Sequence, residues 1–204
     1  MSTIETAEAS DAPGRGRPRK FDEETVLDAL TALFWEKGYE ATSMADILKA
    51  SGLNKSSLYN SFGSKKDLFR RILDRYVETR MEGFAQMAEA SGAAGKGALR
   101  AFLEAVFAFG RAGCLAVNTT TELGTSDAAV SNVARIYRTR IRAALRIVIE
   151  AATAHANPGA ELTEARTEML LGFLLGYAMS ARTGADEAEM TGFTAAAYTI
   201  IEDW

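Results

Sequence analysis

The stretch SGLNKSSLYNSFGSKKDLF, residues 51–69, combines a tight turn with a short helix that has two different sides. Gly52 can take the left-handed backbone conformation that a sharp turn requires. Asn54 is a good N-cap for a helix that stops at Gly63, and Leu58 and Phe62, spaced i, i+4, give that helix one buried side. The other side carries short hydroxyl and amide groups, for which an ordinary core helix has no use.

The residues before and after this stretch predict supporting helices. Asp22 caps a first helix from about residue 22 to residue 37, and Gly38 stops it. Ser43, followed three residues later by Asp46, caps a second short helix. Ser64 caps a longer fourth helix with apolar residues at helical spacing. Short helices joined by a tight glycine turn form a helix-turn-helix unit.

The rest of the chain also repeats apolar residues at helical spacing, and strand-like alternation is scarce. We expect helices near residues 98–111, 114–123, 127–155, 162–182 and 186–202, with SGAAGKG at 91–97 as an interruption. The expected fold class is therefore all-α, with an N-terminal three-helix helix-turn-helix domain and a C-terminal helical domain.

Composition fits a soluble globular protein. Of 204 residues, 48% are apolar and 25% are charged, and no apolar run approaches the roughly 20 residues that span a bilayer. The N-terminus has no apolar signal-peptide core, and the single cysteine suits a reducing compartment. These features predict a cytoplasmic protein without a membrane partner.

The net charge of −4 hides an asymmetry along the chain. Residues 12–80 contain 13 Lys and Arg and 10 Asp and Glu, a net of +3, whereas residues 81–204 contain 10 and 14, a net of −4. Local potential governs the steering of a charged ligand, so the N-terminal third can bind phosphates.

A helix that enters the major groove must be slim and polar enough to reach base edges. The small polar side of the third helix meets that need, and a basic arm at 14–20 can follow the backbone or enter the minor groove. Lys65 and Lys66 add charge at a helix start, where phosphates bind well. The DNA-binding candidates are Arg15, Arg17, Arg19, Lys20, Thr42, Ser43, Asn54, Lys55, Ser56, Ser57, Tyr59, Asn60 and Lys65.

Residues 14–73 resemble the N-terminal domain of the TetR family of bacterial transcriptional regulators. The resemblance rests on GRPRKFD, LFWEKGYEATS, the turn SGL, SSLYNSFGSK and the DLF that follows. These spaced elements are far more specific together than a lone short motif. Leu48 departs from the pattern, because such units often carry alanine there.

The resemblance implies a tail at 1–13, a DNA-binding domain at 14–65 and a ligand-binding and dimerisation domain at 66–204. It also implies a homodimer on double-stranded operator DNA, most often a repressor that a small apolar or electrophilic effector releases from an inverted repeat. The two recognition helices of such a dimer must lie about 34–36 Å apart. The last two helices, apolar on several sides, are our expected dimer interface.

The C-terminal half does not indicate an enzyme, a cofactor or a metal site. Cys114 and His155 are the only Cys and His in the chain, so a His/Cys metal cluster cannot form and a nucleophile–histidine pair is improbable. We therefore expect a non-enzyme without cofactors.

The segment GCLAVNTTTELG, 113–124, places Cys114, Asn118 and Glu122 on a slowly turning helix face. It resembles a GCL…N…E signature in a subset of TetR regulators, some of which sense electrophiles or oxidants through the cysteine. Two interpretations stay open: a partly exposed thiol activated by the helix start and Arg111, or a small buried apolar side chain.

An effector pocket should be apolar with a few polar groups. The candidates for lining it are Phe102, Val106, Phe109, Cys114, Asn118, Tyr137, Phe173 and Tyr177, although aromatic residues at this spacing often form ordinary core. The alternative to a regulator is a helical small-molecule binding protein that does not recognise an operator.

Overall fold

A computed structural model describes residues 21–90, 95–110, 113–124 and 126–204, and throughout these ranges the regular secondary structure is α-helical. This confirms the predicted all-α class. The helices are α1 (Glu23–Lys37), α2 (Met44–Ser51), α3 (Lys55–Phe62), α4 (Lys65–Ala90), α5 (Lys96–Gly110), α6 (Leu115–Leu123), α7 (Ala128–Thr153), α8 (Gly159–Arg182) and α9 (Glu187–Glu202). None of the described helices is both long and apolar enough to cross a membrane.

Local capping chemistry sets the ends of α1 and α2, as predicted. The Asp22 side chain accepts the Glu24 N–H, and Gly38 ends α1 with a φ of 82°. At the start of α2, Ser43 and Asp46 cap each other reciprocally. Each cap satisfies backbone groups that a helix end leaves without a partner.

The turn between α2 and α3 has the predicted form. Gly52 is left-handed, with a φ of 66°, and its N–H donates to Leu48 O. Asn54 then caps α3 by accepting the Ser57 N–H at 2.8 Å. Leu58 and Phe62 are buried beneath α3, so its opposite side faces solvent.

An aromatic cluster joins α1 and the α1–α2 turn to α4. The rings of Phe34 and Tyr39 lie 4.9 and 4.8 Å from the ring of Phe69, which is fully buried. Further along the same helix, Tyr76 belongs to the core of the second half. α4 is therefore shared between the helix-turn-helix unit and the helices that follow.

In the second half, α7 packs against α4, α5, α6 and α8, and α9 packs on α8 and α5. α8 begins at Gly159, three residues before the expected start, with Pro158 at its N-cap position. The large apolar residues of α8 and α9 that remain exposed are Leu162, Met169, Met179 and Ile200.

Candidate functional site

The exposed side of α3 is a small polar surface, which we call the recognition face. It consists of Asn54, Lys55, Ser56, Tyr59 and Asn60, all exposed, with Ser57 half-buried beside them. Lys55 Nζ lies 6.0 Å from the centre of the Tyr59 ring, whose side chain is 42% exposed. The recognition face thus offers an ammonium group, a phenol hydroxyl, small hydroxyls and amides on one short helix.

Helix capping occupies some of the hydrogen-bonding groups on and near the recognition face. Asn54 Oδ1 is committed to the Ser57 N–H, which leaves the Asn54 side-chain NH₂ as its external donor. The Ser43 hydroxyl donates to Asp46 Oδ2 at 2.7 Å and accepts the Asp46 N–H. Hydrogen bonds from Lys37 and Ser43 hold the pKa of Asp46 well below its usual range, so the cap stays ionised at neutral pH.

The structure corrects two expectations for DNA-binding residues. Thr42 is fully buried, and its hydroxyl donates to Gly38 O at 2.6 Å, so this side chain braces the α1–α2 turn and does not reach DNA. Lys66 Nζ lies 2.7 Å from Asp127 Oδ2, so an internal carboxylate already holds it. Sequence reasoning missed Asp127 because it lies 61 positions away in the chain.

Lys65 is half-buried at the start of α4, and its Nζ lies 4.4 Å from the centre of the Tyr39 ring. Ser64 and Asp67 cap this helix: Ser64 N–H donates to Asp67 Oδ2 at 3.0 Å, and the Asp67 N–H donates to Ser64 Oγ. The ring contact orients the Lys65 ammonium group, which has no carboxylate partner among the residues that the structure describes.

The predicted basic arm, Arg15, Arg17, Arg19 and Lys20, lies outside the described residues, as does the tail at 1–13. Arg111, proposed to activate the thiol, is also outside them.

Two side chains of the second half form hydrogen bonds with backbone groups at the end of α1 and in the α1–α2 turn. We call this set of contacts the α1 junction. Glu122, in the last turn of α6, accepts the N–H of Tyr39 at 3.0 Å and of Glu40 at 2.6 Å. Arg182, at the end of α8, donates from Nη1 to Trp35 O and Glu36 O at 3.1 and 3.0 Å. These contacts satisfy two backbone C=O groups in the last turn of α1 and two backbone N–H groups just after it, which have no hydrogen-bond partner within the helix.

A second connection, the α4 junction, consists of side-chain ion pairs. Asp127 caps α7 through the Ala129 N–H and also lies 2.7 Å from Lys66 Nζ and 3.1 Å from Arg70 Nη2. Its side chain is only 9% exposed. The hydrogen bond from Lys66, followed by that from Arg70, holds the pKa of Asp127 well below its usual range despite the opposing effect of burial.

Cys114 lies at the N-cap position of α6 beside a small cavity of about 40 Å³. It is 7% exposed, which agrees with the second of the two interpretations, a small buried apolar side chain, and not with a partly exposed thiol. The Tyr76 hydroxyl donates to its sulfur at 3.6 Å, and the Tyr137 hydroxyl lies 3.3 Å away. Burial, and then the nearby sulfur, raise the pKa of both phenols, so both stay protonated.

Four of the eight predicted pocket residues line a cavity. Val106, Cys114, Tyr137 and Tyr177 line the small cavity. Phe102 packs on Phe84 in the core, and Phe173 packs on Phe193, so neither lines this cavity or the groove described below. Asn118 is buried, and neither of its amide atoms has a hydrogen-bond partner among the described residues. The side chain of Phe109 lies outside the described residues.

A much larger opening of about 700 Å³, which we call the groove, lies between α6, α7 and α8. It shares Val117, Tyr137 and Leu175 with the small cavity. Its remaining lining residues, which sequence reasoning missed, are Ala116, Thr120, Thr121, Ser131, Ala134, Arg135, Arg138, Gly176, Met179, Ser180 and Phe193. Its volume lies within the usual range for small-molecule sites.

Within the described ranges, no three His, Cys, Asp or Glu side chains are grouped so that they could hold a metal ion.

Comparisons with known proteins agree with this geometry. A sequence model described as "Bacterial regulatory proteins, tetR family" matches residues 26–72. The HTH-type transcriptional repressor BdcR of Escherichia coli K12 is 47% identical over 64 residues, 31% of this chain and 32% of BdcR. The structure also matches a cysteine mutant of the TetR family transcriptional regulator CifR, complexed with 26-bp double-strand operator DNA. That match has a TM-score of 0.73 and 25% identity and covers 92% of this chain and 100% of the CifR chain.

A longer sequence match settles the family. The HTH-type transcriptional repressor ComR of Escherichia coli K12 is 32% identical over 182 residues, and the match covers 84% of each chain. Helix-turn-helix geometry, a helical second half and this similarity along most of the chain lead to one conclusion: the chain belongs to the TetR family of bacterial transcriptional regulators.

Proposed function

We propose that this protein is a homodimeric repressor that binds an inverted-repeat operator and is released by a small-molecule effector. The recognition face carries the proposal, because α3 exposes its polar side while Leu58 and Phe62 anchor the other. Such a helix fits the major groove, where Lys55 and Asn60 can reach base edges. We place the DNA-binding domain at 14–65 and the effector and dimerisation domain at 66–204. Action on chromosomal DNA places the protein in the cytoplasm.

Exposed apolar surface supports the dimer. Met169 on α8 and Ile200 on α9 remain exposed, on the two helices expected to form the interface. A built Cβ at Gly172 meets no atom within 4 Å, so this part of α8 is open to a partner helix. Apolar surface of this kind is stabilised when a second subunit covers it.

The groove is the proposed entrance for the effector. α6 and α8 line it, and these same helices carry Glu122 and Arg182, which hold the α1 junction. A ligand that binds the groove more tightly in one arrangement of these helices therefore shifts the arrangement of the recognition helices.

A thiol-reactive effector is a second route, supported by the contact between the two cavities. Tyr137 lines both the groove and the small cavity, so movement of its ring would expose the Cys114 sulfur to a molecule in the groove. This route would place the chain in the subset with the GCL…N…E segment. Release from DNA by a quinone in the natural protein, but not in Cys114→Ser, would support it; equal release in both would overturn it.

Fluorescence anisotropy with DNA from upstream of the protein's own gene tests the proposed function. We expect sequence-selective binding that weakens steeply with salt, because phosphate contacts release counterions. If upstream DNA does not bind, the operator is sought by selection from a random duplex pool. Salt-insensitive binding, or no duplex selected, would favour the alternative, a small-molecule binding protein without an operator.

Lys65→Ala tests the placement of α4 on the DNA backbone. We expect weaker binding to every duplex and a salt slope lower by about one per half-site, since one phosphate contact is lost. The matched control is Arg146→Ala, which removes one charge from an exposed position on α7. An unchanged salt slope in Lys65→Ala would refute this placement.

A further inference from the structure

We propose that the groove binds an anionic amphiphile, a molecule with an apolar body and one anionic headgroup, held by Arg135 and Arg138. This inference rests on the proposed function, because we take that molecule to be the effector. It goes beyond the proposed function by naming the chemistry that the groove selects.

The ion pairs of α7 separate its arginines into two groups. Arg140, Arg142 and Arg146 each contact a carboxylate: Glu78 for the first, Glu164 and Glu168 for the second, and Glu150 for the third. Arg135 has only the neutral Asn132 side chain, at 2.8 Å, and Arg138 has no carboxylate partner among the described residues. The two arginines without a carboxylate are the two that line the groove.

The positions of these arginines suit one headgroup. Arg135 and Arg138 are spaced i, i+3, so they emerge from the same side of α7. The Ser131 side chain, one turn before Arg135, lines the groove beside them. A guanidinium group binds a carboxylate or phosphate through two parallel hydrogen bonds, which makes a pair of arginines selective for oxyanions.

The rest of the groove suits an apolar body. Val117 from α6, Leu175 and Met179 from α8 and the Phe193 ring from α9 form its apolar walls. The described residues that line it include no Asp or Glu. A cationic ligand would face two like charges here, and a purely apolar one would gain no charge-assisted hydrogen bond from the two guanidinium groups.

Titration calorimetry with three eight-carbon probes tests the proposal directly. Octanoate and octyl phosphate carry anionic headgroups, whereas octan-1-ol has the same apolar chain without a charge. We expect at least one of the anions to bind about tenfold or more tightly than octan-1-ol, because charge-assisted hydrogen bonds add to the burial of the chain. The stronger anion identifies the headgroup. Equal affinity for octan-1-ol, or no binding of either anion, would overturn the proposal.

Variants identify the residues responsible. Arg138→Gln should weaken anion binding about tenfold, and the double variant Arg135→Gln/Arg138→Gln should weaken it further, with octan-1-ol unaffected. Arg146→Gln is the matched control, since it removes the same charge from the same helix outside the groove, and it should change nothing. Both groove arginines are exposed, so folding should survive, as circular dichroism would verify. Anion affinity that persists in the double variant would refute the assignment.

The calorimetry does not involve DNA, so it can fail or succeed independently of the proposed function. Operator binding is then measured in the presence of the anion that binds. The natural protein should release the operator, and the double variant should keep it. A protein that binds the anion but no duplex would contradict the repressor and leave the groove assignment standing.

Discussion

The two junctions between the helix-turn-helix unit and the second half are built from different chemistry. At the α1 junction, Glu122 and Arg182 contact backbone groups only, and Glu122 is exposed. At the α4 junction, Asp127 is shielded and contacts the side chains of Lys66 and Arg70. Asp127 is shielded although the Lys66 and Arg70 side chains are 51% and 38% exposed, so these pairs are screened less than contacts between fully exposed groups, which rearrange at little cost. We infer that the α4 junction supplies stability and the α1 junction transmits the effector signal.

The largest expected effect on stability comes from Asp127→Asn. Asparagine keeps the cap of α7 but removes the charge that pairs with Lys66 and Arg70, so we expect the melting temperature to fall by about 4 °C at pH 7. Because folding lowers the pKa of this carboxyl, its contribution is fully present above the unfolded value of about 3.9 and is lost as pH falls through the folded value.

Thermal denaturation of the natural protein and of Asp127→Asn, measured from pH 7 downwards, therefore tests whether this contribution to stability is lost in acid. The difference between the natural protein and Asp127→Asn should shrink below about pH 4. A difference that stays constant into acid would show that packing, and not charge, makes the α4 junction stable.

Glu122→Gln should affect stability less and regulation more. The glutamine side chain has a single carbonyl oxygen, so it cannot accept from Tyr39 and Glu40 as the carboxylate does. We expect a melting temperature within about 2 °C of the natural value and a shift of about threefold in the effector concentration that releases the operator. Anisotropy titrations measure the second quantity. If the release were unchanged while stability fell as far as in Asp127→Asn, the proposed division of roles would be reversed.

Local chemistry explains why the helix-turn-helix unit could be predicted from sequence. Ser43 and Asn54 act on backbone groups within three residues, and Gly52 acts on its own backbone, so their effects can be read directly. The burial of Thr42 and the ion pair of Lys66, by contrast, depend on residues that only folding brings next to them. Thr42 turns inward beneath α1 and α2, and Lys66 meets a residue from the start of α7.

The second half was harder to predict because helical spacing alone does not show which side of a helix meets a neighbour. Residues spaced i, i+4, i+8 drift by about 40° at each step, so Cys114 and Glu122 lie about 80° apart around α6. That drift buries Cys114 and exposes Glu122. Spacing along the chain gave no signal for the groove: Arg140 and Arg142 lack an acidic residue four positions later, just as Arg135 and Arg138 do, yet they pair with glutamates from other helices.

The smallest expected effect is that of Arg182→Gln. This variant loses the charged donor to Trp35 O and Glu36 O, so the last turn of α1 should open more often while global stability barely changes. Hydrogen exchange of the amides at 35–38 should be about threefold faster. The control is again Arg146→Gln, which should leave these amides unchanged. Equal exchange in both variants would remove Arg182 from the α1 junction.

The length of α4 has a geometric consequence for where the recognition helices lie along the operator. At about 1.5 Å per residue, its 26 residues span about 39 Å from Lys65, beside the recognition face, to Ala90. If this rod tilts by about 5° about its far end, Lys65 moves by about 3 Å, close to the 3.4 Å between successive base pairs. A dimer contains two such rods. A rotation of about 5° can therefore move each recognition helix by about one base-pair step.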